Sequence, residues 1–255
     1  MPLRRTALAA ALSVATASLI ACGGGGGDDA PTTVQVGDTV ALTASGRLVS
    51  FNRAAPLTQV GSIGISGLAG GETLLGIDFR PADGKLYGLG SGGNLYTLDA
   101  ATGMATMKST LKAMAGDDNP YAALVGTSFA VDFNPVADRL RVIGNTGQNL
   151  RINVDTGDVT TDGTISPGTS SVTAAAYTNS FAGTTATQLF DLDVAAGLLH
   201  LQDPPNDGAL KAGVALGFTA DAVNGFDIDA RTNTGYAAVR AGGETALYSI
   251  NLAAT

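Results

Sequence analysis

The chain has 255 residues, among them 14 basic and 22 acidic side chains, 35 glycines, one cysteine, one histidine and no tryptophan. Its formal charge of −8 argues against a surface built to grip nucleic acid or anionic lipid, which need clustered Lys and Arg. One cysteine excludes an internal disulfide, and many glycines with few charges fit an exported, β-rich protein full of tight turns.

The chain opens with Arg4 and Arg5 followed by an apolar run over residues 6–20. This is the pattern of a secretory signal, too short to stay as a membrane-spanning helix. It ends in Leu19-Ile20-Ala21-Cys22, which resembles a bacterial lipobox, so residues 1–21 are expected to be removed and Cys22 to be acylated. The plain alternative is a secretory signal followed by a stray cysteine. Cys22 leads into Gly23 to Gly27 and Asp28-Asp29, a flexible tether of the kind that spaces a domain from a lipid. Residues 22–35 are read as this anchor and tether. Losing the leader removes two of the 14 basic residues and none of the acidic ones, leaving a net charge of about −10.

From residue 36 to 255 the sequence repeats itself. Gly76-Ile77-Asp78-Phe79-Arg80-Pro81 returns as Ala130-Val131-Asp132-Phe133-Asn134-Pro135 and as Gly225-Phe226-Asp227-Ile228-Asp229. Each copy opens a unit of four short alternating runs, here a to d, joined by Gly, Asn and Asp turns. The first unit, at residues 39–43, 48–51 and 57–63, supplies b, c and d without a. The second, at 74–80, 85–89, 94–98 and 104–111, is complete. So is the third, at 129–134, 139–143, 149–154 and 159–165. The fourth is looser, at 172–177, 188–192, 198–202 and 209–216. The last, at 225–229, 235–239 and 246–252, supplies a, b and c without d. Self-similar four-strand units predict an all-β protein, a β-propeller of about five four-stranded blades. A β-sandwich has no need of such repetition. The one helix candidate, residues 108–115, is expected in a loop between blades.

Several motifs in order carry a resemblance. They include Leu42-Thr43-Ala44-Ser45-Gly46-Arg47-Leu48, Gly76-Ile77-Asp78-Phe79-Arg80-Pro81, Lys85-Leu86-Tyr87-Gly88-Leu89-Gly90, Asp138-Arg139-Leu140-Arg141-Val142 and Asn145-Thr146-Gly147-Gln148-Asn149-Leu150-Arg151. Ala176-Tyr177-Thr178-Asn179-Ser180-Phe181 and Asp203-Pro204-Pro205-Asn206-Asp207-Gly208 extend it. Together they resemble a bacterial exported family, domain-of-unknown-function family 4394, over most of residues 36–255. The resemblance implies a propeller-like fold and an exported location, and no catalytic residues. Family members usually continue past the segment matching Leu247-Tyr248-Ser249-Ile250-Asn251-Leu252. The ring is therefore expected to be incomplete at its closure, with exposed edges near residues 246–252 and on the first blade's inner strand. Residues 32–36 are a loose candidate for a partial strand there.

Asp78, Asp132 and Asp227 fall on strand a, the innermost of each blade, with Tyr177 at that place in the fourth. A ring of carboxylates near a channel could hold a cation such as Ca²⁺ through oxygen ligands. Because the acid recurs with the unit, the architectural reading, each Asp accepting hydrogen bonds from its own blade's turns, explains it directly. Asp99, Asp155 and Asn145 read as turn residues, and Asp117-Asp118-Asn119 as a solvated insertion. A solitary His200 supports neither a transition-metal site nor a triad without a Gly-x-Ser-x-Gly elbow. Gly90 to Gly93 joins two strands and lacks the helix N-terminus that a phosphate loop needs. Tyr121, Phe129, Tyr177 and Phe181 are aromatic candidates for one face near the insertion, or for core.

The expected function is a lipid-anchored extracytoplasmic propeller of the bacterial envelope, periplasmic or outer-membrane associated. It would act as a non-catalytic scaffold for a protein or small-molecule ligand and not for nucleic acid. The alternative is a propeller enzyme, a hydrolase or lactonase-like protein, using a channel-bound divalent cation.

Overall fold

The computed structural model describes residues 5–8, 32–217, 220 and 222–252. Cys22 and the glycine tether lie outside them. After β1 (Arg5–Leu8), five small sheets follow in chain order. The first blade is β2 (Thr39–Leu42), β3 (Arg47–Asn52) and β4 (Ala55–Gly64). The second is β5 (Leu74–Phe79), β6 (Leu86–Gly90), β7 (Asn94–Leu98) and β8 (Ala105–Thr110). A short β9 (Lys112–Ala113) connects to the third blade, β10 (Phe129–Asn134), β11 (Arg139–Gly144), β12 (Asn149–Ile152) and β13 (Asp158–Thr161). The fourth is β14 (Val172–Tyr177), β15 (Leu189–Asp193), β16 (Leu198–Gln202) and β17 (Val214–Ala215). The fifth is β18 (Ala222–Ile228), β19 (Thr234–Ala241) and β20 (Glu244–Asn251). Within each blade consecutive strands pair antiparallel, as hairpin-length turns require. The result is a five-blade propeller whose ring is not closed by strand pairing.

The alternation that wrote the strands also wrote the core. Leu86, Tyr96 and Leu98 meet Leu48 between the first and second blades. Tyr87, Leu89 and Leu95 meet Phe133, Leu140 and Val142 between the second and third. Ala130, Ile143 and Ile165 meet Val172, Tyr177 and Leu189 at the next joint. Phe190, Leu192 and Leu199 meet Ile228, Val239 and Ile250 at the fourth. Such clusters are the main favourable term holding blade to blade. Among the described residues, none of this kind spans the joint between the fifth blade and the first.

The connectors repeat as well. After each of the first three blades the chain lays a short parallel bridge on the outer part of the next: Ser66 on Met104, β9 on β13, and Ser166 on Ala209. The expected helix at residues 108–115 is therefore extended chain. Residues 108–110 belong to β8 of the second blade, and beyond them Lys112 N–H bonds to Gly157 and Met114 N–H to Val159 of the third. Residues 32–36 form no strand either, and Val34 N–H bonds to the Ala101 carbonyl.

The two expected edges fare differently. β1 pairs antiparallel with β20, Arg5 opposite Tyr248 and Leu8 opposite Thr245, so this part of the last blade's edge is covered in the uncleaved chain, by residues that fall within the expected leader. The first blade has three strands in the order β2-β3-β4, and no described strand lies inside β2.

Candidate functional site

The three strand-a aspartates converge. One carboxylate oxygen from each of Asp78, Asp132 and Asp227 lies within 4.8 Å of the other two. The same carboxyls also join blades. Asp78 Oδ2 accepts the N–H of Phe133 in the third blade at 2.7 Å, and Asp132 Oδ1 accepts that of Tyr177 in the fourth at 2.9 Å. In the second and third blades the repeating acid is thus an inter-blade acceptor. It does not serve its own blade's turns, as the architectural reading supposed.

That pattern also fixes the fourth blade's alignment. Tyr177 N–H does what Phe133 N–H does, so Tyr177 occupies the place of Phe133, one residue beyond the aspartate's. The aspartate's own place falls to Ala176. Where the preceding blade offers no acid, the aspartate takes its neighbour's amide itself: Asp78 Oδ1 accepts Phe79 N–H, and Asp227 Oδ1 accepts Ile228 N–H. Ala176 explains the second case, and in the first no described strand lies inside β2 to offer an acid.

Burial, then the charge of Asp227, pushes the Asp78 carboxyl well above the usual carboxylate range, against the pull of its two backbone bonds. Asp132 is pushed well up by burial, then by Asp78 and Asp227. Asp227 is raised mainly by desolvation of its carboxyl, against the pull of its bond to Ile228 N–H and of the Arg53 charge. Its open side toward the first blade keeps it exposed, whereas Asp132 is 3 % exposed. Three like charges at this spacing are relieved by shared protons or by a cation. Ca²⁺ takes six to eight oxygens, so these carboxylates would supply part of such a shell and solvent or a ligand the rest.

Around the channel, charged residues latch the blades. Arg80, two residues past Asp78, reaches Asp138 at 2.5 Å and Asp155 at 2.9 Å on the third blade, with its guanidinium 5.8 Å from the Tyr87 ring. Asp155 is held down to about 2 by Arg80, then Lys108. Asp155 is therefore more than a turn residue. Asn179 and Asn233 exchange two hydrogen bonds of 2.9 Å between the fourth and fifth blades. Asp229, two residues past Asp227, pairs with Arg53 of the first blade.

The other candidates are local. Asp99 accepts two N–H groups of its own turn, and Asn145 accepts those of Thr127 and Ser128. Asp117 accepts Asn119 and Thr161 N–H, so it pins the insertion to the third blade. His200 sits in the fourth blade with Nδ1 2.8 Å from the Lys211 carbonyl. Its ring packs so closely on Gly213 that a Cβ there would lie 2.6 Å from it. Tyr177 is core and Tyr121 and Phe129 pack against the core between the second and third blades, while Phe181 is exposed. The four aromatics do not form one face.

Two arrangements escaped the sequence reading. Glu72 gathers the glycine-rich turn, accepting Gly92 N–H at 2.7 Å, Asn94 Nδ2 at 3.1 Å and the Tyr96 hydroxyl. It lies in a small cleft with Ala69, Gly70, Ser91 and Asn94. Buried Arg141 bonds Asp162, Asn149, Asn206 and the Tyr177 hydroxyl. Behind it, Asp191 is fully buried with neither oxygen hydrogen-bonded, and Gln202 Oε1 and His200 Nε2 are likewise unpartnered. An acid between Phe190 and Leu192 was the available signal for Asp191, but nothing in the sequence supplied the partners of Asp191 or Glu72.

A family model, Domain of unknown function (DUF4394), matches residues 47–255. The chain belongs to the DUF4394 family. No curated protein matches it significantly. Among solved structures, this DUF4394 protein is similar to glutaminyl cyclase of Myxococcus xanthus, with a TM-score of 0.53 and 12 % identity over 86 % of this chain and 90 % of that one. It is similar also to virginiamycin B lyase of Staphylococcus aureus, with a TM-score of 0.44 and 11 % identity over 83 % and 80 %. At such identities the first likeness is one of fold alone.

Proposed function

We propose that this DUF4394 protein is a lipid-anchored extracytoplasmic propeller acting as a non-catalytic binding or interaction scaffold. The observation that carries the scaffold reading is the use of the channel acids: Asp78 and Asp132 are held as backbone acceptors between blades. Carboxylates fixed in that way stabilise the ring and are poorly placed to trade protons with a substrate. The anchor rests on Cys22 and the glycine tether behind it. Labelled fatty acid should be incorporated by the natural chain and lost in Cys22→Ser; undiminished labelling of the variant sinks the anchor.

The convergence of the three carboxylates favours a second reading, a hydrolase or lactonase-like enzyme that holds a divalent cation in the channel. A rise in melting temperature with millimolar Ca²⁺, abolished in Asp132→Asn, supports cation binding. No shift removes the support for a metal-dependent enzyme and leaves the scaffold.

A further inference from the structure

The fourth blade concentrates the unsatisfied polar groups. Among the described residues, six buried side-chain oxygens and nitrogens have no hydrogen-bond partner, and five of them lie on this blade: Thr173 Oγ1, both oxygens of Asp191, His200 Nε2 and Gln202 Oε1. Three of these residues share one face. Asp191 on β15 stands directly opposite His200 on β16 and Ala175 on β14. Gln202 follows His200 by two, the period that returns a side chain to the same side. Ala175 packs in the cluster between the third and fourth blades, so the third blade encloses this face. Asp191, His200 and Gln202 are 0 %, 6 % and 1 % exposed. Each is held with a lone pair left over. The Lys211 carbonyl, 2.8 Å from His200 Nδ1, can only accept, so the proton sits on Nδ1 and Nε2 of the neutral ring keeps its lone pair. Gln202 donates from Nε2 to the Pro205 carbonyl at 2.6 Å, which leaves Oε1 as its unpartnered end.

We propose that Asp191, His200 and Gln202 bind one zinc-type divalent metal ion inside the fourth blade, as a structural tie at its joint with the third. Buried acceptors with no donor among them are costly, and a cation relieves all three at once. Arg141 across the joint does not do so, because its hydrogen bonds go to Asp162, Asn149, Asn206 and the Tyr177 hydroxyl. Its charge is met by Asp162 at 2.6 Å. A ring N–H tied to a backbone carbonyl is the usual outer support of a metal-bound imidazole. Imidazole with carboxylate oxygen favours zinc over calcium or magnesium, which take oxygen alone, and over copper(I), which takes sulfur. One of four positions is left for water. In the metal-free protein the Asp191 carboxyl keeps a proton, which the metal displaces. His200 stands alone in the sequence because its companions are an acid and an amide, which there read as ordinary strand residues. The site shares no residue with the three channel acids.

The test is zinc content of the full, untagged chain, produced in zinc-supplemented medium and dialysed against metal-free buffer. One equivalent is expected, held equally by Asp132→Asn, whose change lies in the channel. His200→Gln should weaken zinc binding by at least about tenfold, the scale that even outer-shell losses reach. Gln202→Glu offers a charged oxygen in the same place and should hold zinc at least as tightly. Because His200 is the only histidine, its ring nitrogens in isotope-labelled chain report on the contact without any mutation. Zinc should shift the Nε2 resonance and leave Nδ1 protonated. No retained zinc, retention unchanged in His200→Gln, or a histidine ring that zinc does not perturb each overturns the site. Retention lost in Asp132→Asn and kept in His200→Gln overturns it in favour of the channel.

Discussion

Arg53 of the first blade clasps Asp229 of the fifth, repeating with charges exchanged the pair that Arg80 and Asp155 make between the second and third. Asp229 and Arg80 stand two residues past a strand-a aspartate; Arg53 and Asp155 lie in the turn before the outer strand of the next blade. In both places the guanidinium lies near a tyrosine opposite that aspartate, Tyr236 at 5.2 Å and Tyr87 at 5.8 Å. The chemistry of the joint survives the reversal because it needs one cation and one anion, whichever blade brings them.

Arg53→Ala should lower stability by about 1–2 kcal/mol, since the pair is only partly solvated and the tyrosine contact goes with it. Asp229→Asn keeps the carbonyl oxygen that caps Arg231 and Thr232 N–H. A double-mutant cycle by denaturant unfolding should therefore return a coupling of about 1 kcal/mol. Additive losses would mean that the clasp contributes nothing to closure.

Asp132 separates the roles of the channel acids. Asp132→Ala removes the acceptor of Tyr177 N–H and should cost about 1.5–3 kcal/mol. Asp132→Asn keeps an acceptor and removes one of three clustered charges, so without cation it should be neutral or stabilising. A loss in Asn as large as in Ala, measured with chelator present, would count against repulsion among the carboxyls.

The pH profile has two separable limbs. Burial pushes Asp191 well above 3.8, the value it relaxes toward when unfolded. The folded state then holds a proton that the unfolded state has lost, so stability is full below about pH 4 and falls as pH rises toward the folded value. Asp78 and Asp132 act in the same direction. Asp155 and Asp229 act oppositely: Arg80 brings the first down to about 2, and Arg53 does the same to the second against the upward pull of burial. Their contribution is present above about pH 4 and is lost as pH falls through about 2. Thermal melts with chelator present should show stability declining as pH rises above about 4, and Asp191→Asn should flatten that decline. An unchanged slope would show that Asp191 is not its source.

Glu72→Ala should loosen the turn at residues 90–94 and cost about 2 kcal/mol, because it strips a charged acceptor from several donors at once. Glu72→Gln should recover part of this. Amide exchange at Gly92 and Asn94 is the readout, and protection unchanged in the alanine variant would show that the turn holds itself.

The repeat made the blades legible because a propeller writes its strands as local alternation and its turns as Gly, Asn and Asp. Asp78, Asp132 and Asp227 were visible for the same reason, and their convergence follows from all standing on innermost strands. Their partners were not visible. Phe133 and Tyr177 contribute amides, which leave no trace in side-chain identity, and the loop of the fourth blade hid that Ala176, one residue before Tyr177, takes the aspartate's place. Lys112 and Ala113 read as helix because propensity is local, while the bonds that extend this segment come from Gly157 and Val159 some forty-five residues away. Arg53 and Asp229 were similarly beyond reach, being 176 residues apart in the chain.

The uneven distribution of apolar contacts sets an order of failure. Among the described residues, four joints are cemented by packed side chains, and the fifth shows chiefly a guanidinium, a carboxylate and a tyrosine face. Heat and denaturant act on the whole ring, but the least cooperative opening begins where the least apolar surface must be exposed. The first and fifth blades should thus part before any blade unravels, turning the ring into an open arc whose other joints remain intact. A seam of that kind lets a ring of repeats breathe without unfolding.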